Sequence, residues 1–201
     1  MGQTLPSRFD IAALKHIKVS LGCRADQVRG LYTELQKMAD ADGTVSKVEW
    51  EEAMQHQGIS LDYKVVYTWR DTFSEGMAGR VQAKPFCCTL AFFINAPLQE
   101  SLETVFSFSA AAGAIGEADF QDLFLGVANG FEIQALAGND HVSPEHIDEA
   151  VVQWTRTAFT GKAGPVGLPH FVLMVHACPL VEGIAPALIS ELGDDFFGVP
   201  A

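Results

Sequence analysis

The sequence predicts an all-α protein: four helix–loop–helix units, joined two by two into a pair of lobes through short strands in their loops, with an added helix at each end. Three observations predict it. A glycine, a β-branched residue two places on and a large aromatic five places after that recur as Gly43/Val45/Trp50, Gly79/Val81/Phe86, Gly113/Ile115/Phe120 and Gly164/Val166/Phe171. Each copy follows a segment whose apolar residues fall at helical spacing. Hydrophobic residues make up 48% of the 201-residue chain, enough to fill a core beneath each pair of units.

Each position of the pattern has a mechanical reason. Glycine supplies the positive φ of a sharp turn. The β-branched residue favours a short strand, and the aromatic is expected to start the exiting helix and pack inward. A lone short strand leaves backbone groups unpaired, so Val45 is expected opposite Val81, and Ile115 opposite Val166. The chain then divides into an N-terminal segment and helix (1–22), a first pair of units (23–96), a second pair (97–178), and a C-terminal helix and tail (179–201).

In chain order, a helix is expected over 9–20, and "RADQVRGLYTELQKM" follows with Val28, Leu31, Leu35 and Met38 on one stripe. "SLDYKVVYTWRDTF" starts at Ser60, a good N-cap, and turns Val65, Val66, Trp69 and Phe73 inward. "PLQESLETVFSF" carries Leu98, Leu102, Val105, Phe106 and Phe108. The insertion "GFEIQALAGNDHV" (130–142) reads as a loop with a short helical turn. "SPEHIDEAVVQWTRTAF" opens with Ser143 before Pro144, a cap-then-proline start, and its stripe is Ile147, Val151, Trp154, Ala158 and Phe159. The most apolar stretch, 171–189, contains His176, Pro179, Glu182 and Pro186, which argues against a membrane span. It is expected to form two core helices broken at Cys178–Pro179, the second over about 180–192.

The formal net charge of −12 disfavours nucleic acid, since phosphate binding needs clustered Lys and Arg, and suits solubility, cations or basic partner segments. The four cysteines (Cys23, Cys87, Cys88 and Cys178) match no zinc spacing and are expected as buried, reduced thiols of a cytoplasmic protein. The six histidines are scattered, and Cys178 beside His176 lacks an orienting third group. With no glycine-rich phosphate loop and no nucleophile elbow, the expected role is non-catalytic.

The pattern is that of the second half of a calcium loop, with glycine at its sixth position and the β-branched residue at its eighth. Calcium wants carboxylates at the first, third and fifth positions and a bidentate glutamate at the twelfth. The first loop offers Asp40, Asp42, Thr44, Ser46 and Glu49, but Met38 holds its first position. The others place Ser74, Gly76, Ala78 and Pro85; Phe108, Ala110, Ala112 and Asp119; and Phe159, Gly161, Ala163 and His170 at the same four positions, too little charge to dehydrate the ion. Met38, Phe108 and Phe159 stand where the apolar residue should come one place earlier, as if the front of each loop had lost a residue. One weak calcium site in the first loop is the most the sequence supports, against ordinary turn chemistry for two aspartates before a glycine.

Over roughly residues 24–177 the chain resembles the EF-hand superfamily in its four-unit form, the class of calcineurin B and the neuronal calcium sensors. It is more closely similar to the EF-hand-like N-terminal region of TLDc-domain proteins. "SAAAGAIGEADFQDLFLGV" (109–127) looks like that region's shortened third loop and following helix, and "PHFVLMVHACPLVEGI" like its closing helix. The resemblance implies paired EF-hand-like units acting through protein–protein contacts, as a module or as a structural subunit of a larger assembly. It also implies a link to the vacuolar proton-pumping ATPase and oxidation resistance. A partner amphipathic helix would lie in an apolar groove drawn from Phe86, Phe92, Phe93, Phe106, Phe120, Phe124 and Phe171, unless those rings fill the core or "ISELGDDFFGV" occupies the groove in cis. Gly2 in "MGQTLPS" is a candidate for N-myristoylation and reversible membrane contact, although Pro6 stands where the motif wants Ser or Thr.

Overall fold

The computed structural model describes residues 21–60, 66–67, 70–71, 73–74, 79–92, 94, 96, 98–109, 113–121, 123, 152–153, 155–161 and 164–176. The expected terminal helices, the 130–142 insertion, the tail and Gly2 lie outside them. The described part is mostly helical with two short antiparallel strand pairs, in keeping with an all-α class. Its elements are α1 (Ala25–Met38), β1 (Thr44–Ser46), α2 (Lys47–His56), β2 (Arg80–Gln82), α3 (Ala83–Phe92), α4 (Leu98–Ser107), β3 (Ala114–Ile115), β4 (Val166–Gly167) and α5 (Leu168–His176). Helical residues outside these spans are 21, 66–67 and 70–71, 117–121 and 123, and 152–153 and 155–159.

The strands pair as the pattern requires. β1 and β2 match Thr44 with Gln82, Val45 with Val81 and Ser46 with Arg80. β3 and β4 match Ala114 with Gly167 and Ile115 with Val166. Val45, Val81 and Ile115 are fully buried and Val166 nearly so. Burying such a side chain is worth about 1.5–3 kcal/mol, so each pairing is held from beneath as well as by its hydrogen bonds.

The four aromatics sit one turn further into their helices than expected. Helical structure begins at Lys47, Ala83, Glu117 and Leu168, directly after or within one residue of each strand. Trp50, Phe86, Phe120 and Phe171 are therefore each the fourth helical residue, not the first. The reason is capping: a residue just ahead supplies the helix N-terminus while the strand is still ending, as Ser46 does for α2. Pro85 and Pro169 fall in first turns, where a missing N–H costs nothing. One turn in, the aromatics point inward and meet across their pairs. Trp50 packs edge-on against Phe86 with centroids 5.1 Å apart, and Phe120 against Phe171 at 5.5 Å. Phe106 and Phe159 complete the second cluster, at 5.3 Å from Phe171 and 5.5 Å from Phe120.

One glycine departs from expectation. Gly43, Gly79 and Gly113 have φ of 77°, 85° and 79°, but in the last unit the positive φ belongs to Gly161 (78°), not to Gly164. Pro165 follows Gly164, and the ring of a proline pushes the preceding residue toward extended backbone.

The described residues around the two strand pairs share one core. Val28, Leu31 and Leu35 of α1, Leu90 of α3 and Leu102 of α4 are all fully buried, with α1, α3 and α4 packed on one another. The Tyr32 ring packs at a tilt against Phe108, centroids 4.4 Å apart, and its hydroxyl donates to the Phe108 carbonyl at 3.0 Å. The Arg29 guanidinium donates to Thr104 Oγ1 at 3.0 Å across the same junction.

Candidate functional site

The first loop, from the end of α1 through β1 into the first turn of α2, holds the residues that the sequence offers to a metal, Asp40, Asp42, Thr44, Ser46 and Glu49. α1 closes with the Ala39 amide donating to Leu35 O at 2.8 Å. The chain then reverses: Gly43 N donates to Asp40 O at 2.9 Å and Asp40 N to Thr44 O at 3.0 Å. A Cβ on Gly43 would meet nothing within 4 Å, so its positive φ alone calls for glycine.

The side chains of the turn bond to the protein itself. Asp42 Oδ1 accepts from Thr44 N at 3.0 Å and from Thr44 Oγ1 at 2.7 Å. The Thr44 hydroxyl, then its amide, hold the Asp42 carboxyl below the usual carboxylate range. Ser46 and Glu49 form a reciprocal cap on α2: Ser46 Oγ accepts from Glu49 N at 3.2 Å, and Glu49 Oε2 from Ser46 N at 2.8 Å. Hydrogen bonding from Ser46 likewise depresses the Glu49 carboxyl. The Ser-x-x-Glu spacing announces such a capping box, and counting the two residues only as ligands passed over it.

Arg80 is the residue that sequence reasoning missed. Register places it opposite Ser46. Its Nη2 lies 2.6 Å from Asp40 Oδ2 and donates to Thr44 O at 2.9 Å, while Nε donates to Thr44 Oγ1 at 2.7 Å. One guanidinium from the second strand thus ties the start of the first turn to its middle. The only sequence signal was its place beside Val81, legible once the strand register was fixed.

As arranged here, these side chains do not converge on the one weak calcium site that the loop pattern suggests. Asp40 already has a cation, Asp42 is folded onto Thr44, and Glu49 is turned back onto the helix start. Among the described residues no group of three or more His, Cys, Asp or Glu side chains is placed to hold a metal. The other turns are less suited. Ser74 Oγ donates to Arg70 O at 2.6 Å, Asp119 lies 3.5 Å from Lys84 Nζ, and His170 is exposed. Gly76, Ala78, Ala110, Ala112 and Ala163 lie outside the described residues.

The expected aromatic groove is core where it can be followed. Phe86, Phe106, Phe120 and Phe171 are buried, and the side chains of Phe92, Phe93 and Phe124 lie outside the described residues. An open groove of about 500 Å³ lies instead between α1 and the end of α4. Its walls are Arg29, Tyr32, Thr33, Gln36, Ser107, Phe108 and Ser109. Burial pushes the Tyr32 hydroxyl up to about 12.

The cysteines are placed as inert thiols. Cys23, Cys87 and Cys88 are buried and form no disulfide with one another, and burial raises Cys23 to about 11 and lifts Cys87 well above its ordinary value. Cys178 and the side chain of His176 lie outside the described residues. Among the described residues no helix is long and apolar enough to cross a membrane. No protein-family model matches the chain, and no curated protein matches it.

Proposed function

We propose that the chain is a degenerate relative of the four-unit EF-hand proteins and works without catalysis, as a binding or regulatory module whose contacts are with other proteins. The observation that carries this reading is the coincidence at the pattern positions. The β-branched residues pair as Val45–Val81 and Ile115–Val166, and each aromatic is buried at the same place in its helix. An EF-hand pair asks for that arrangement of strand, helix and inward ring. The metal ligands have meanwhile been given over to capping and turn closure, so partner binding is independent of calcium. The charge of −12 favours a basic amphipathic helix as the partner.

The test is a calorimetric titration of the full chain with a designed Leu/Lys amphipathic peptide, run once in chelator and once in calcium. Equal affinity in both supports the reading. Binding only with calcium would make the protein a sensor instead, and no binding in either would remove the helix-binding role.

A further inference from the structure

An EF-hand turn needs a positive charge at its centre. Without one, the oxygens gathered there repel one another and loosen the turn. In the first turn that charge is present and covalently attached. The geometry points to Arg80 as the resident cation of this turn, a guanidinium that takes over the holding role of the ion and keeps calcium out. The inference rests on the EF-hand reading above and adds how that site is fixed.

Three contacts support it. In that reading Asp40 is the third loop position and the Thr44 carbonyl the seventh, two of the groups that an EF-hand turns on its ion. Arg80 Nη2 reaches both, at 2.6 and 2.9 Å, and Nε adds Thr44 Oγ1 at 2.7 Å. The charge comes from the neighbouring unit: Arg80 opens β2, directly opposite Ser46, next to the buried Val45–Val81 pair. A side chain rooted in β2 therefore ties the two turns together, which a metal within one loop cannot do. Ala83 N donates to Gly43 O at 3.3 Å, a second link between the same two turns. With about a third of its side chain exposed, Arg80 is anchored by the strand pair rather than by burial. A planar fork suits this role better than an ammonium, because it can bond a carboxylate and a carbonyl at once.

The experiment follows thermal unfolding of the full chain at constant ionic strength, with calcium chloride at 0 and about 10 mM, the millimolar range of weak EF-hand sites. It compares the native sequence with Arg80→Met and Arg80→Lys. The native chain should show no calcium response. Arg80→Met should melt roughly 3–6 °C lower, from loss of charge-assisted bonds at the turn. Calcium should then raise its midpoint by roughly 3–5 °C, the shift expected of a millimolar site freed of its arginine. Arg80→Lys, which keeps the charge without the fork, should fall between the two and stay insensitive to calcium. A native chain stabilised by calcium would overturn the inference without any variant. So would an Arg80→Met chain as stable as the native one, or one that ignores calcium. None of these results touches peptide binding, so failure here and failure of the proposed function are told apart.

Discussion

Tyr32→Phe tests whether the two pairs of units are one cooperative body. The substitution leaves the ring, and so its tilted contact with Phe108 at 4.4 Å, and removes the hydroxyl. Two hydrogen bonds go with it: donation to Phe108 O at 3.0 Å, and acceptance from Gln36 Nε2 at 2.9 Å. Gln36 is exposed and returns to water at little cost. The Phe108 carbonyl is the expensive partner, since a buried acceptor left unpaired costs about 1–3 kcal/mol. The open groove beside it admits water, which places the expected loss near the bottom of that range, about 1 kcal/mol. Urea unfolding followed by tryptophan fluorescence and by far-ultraviolet circular dichroism should show one transition, with a lower midpoint and an unchanged slope. The tyrosine also leaves an alkaline signature. Its folded value of about 12 lies above the ordinary 10.0, so the folded state keeps a proton that the unfolded chain gives up. Stability from this group is complete below pH 10 and is lost as the pH climbs toward 12, and Tyr32→Phe should remove that part of the decline. Two separate transitions in the native chain, or an unshifted midpoint in Tyr32→Phe, would refute the shared core.

Two further outcomes follow from single turns and pairs. Gly43→Ala forces a side chain onto φ 77° and should cost about 1–2 kcal/mol, whereas Gly164→Ala, at a φ outside that region and with open space around it, should gain about 0.4–1 kcal/mol. Thermal melts of the two variants should therefore shift in opposite directions. Glu34 Oε1 lies 2.7 Å from His56 Nδ1, which raises the histidine above its ordinary 6.5 and lowers the glutamate below 4.5. The pair contributes most between those two values: its histidine part is lost as pH rises through the raised value, its glutamate part as pH falls through the lowered one. In an NMR titration Glu34→Gln should lower the His56 titration midpoint toward its ordinary value, and an unmoved titration would mean that the pair does not form.

What the sequence disclosed was mostly periodic. Four repeats fixed the strand partners to the residue, because a β-branched position that must find its twin leaves one register to choose. The stripe of α1 was legible for the same reason, with Val28, Leu31 and Leu35 fully buried. The misses were local or came from far along the chain. Gly164 fits the pattern but stands before a proline, and a pattern that counts only spacing does not weigh its neighbour. Ser46 and Glu49 satisfied two templates at once, ligand and cap, and the cap is what the helix start uses. Arg80 lies 36 residues from Thr44, and no local window joins them. The phenylalanines were countable, but whether a ring lines a groove or fills a core depends on which helices meet. That is settled where α1, α3 and α4 pack.

The proposed reading makes one sense of what is kept and what is lost. A binding loop that no longer needs its ion can lose carboxylates freely, but it cannot lose the hydrophobic contacts that hold its helices in place. The strand valines and isoleucine and the paired aromatics carry that work through burial, which salt and metal supply leave almost untouched. In the first turn, electrostatic closure comes from two charged side chains of the chain itself, Asp40 and Arg80. Such a module would hold one shape at every calcium level. Its regulation would then have to come from what binds it rather than from what fills its turns.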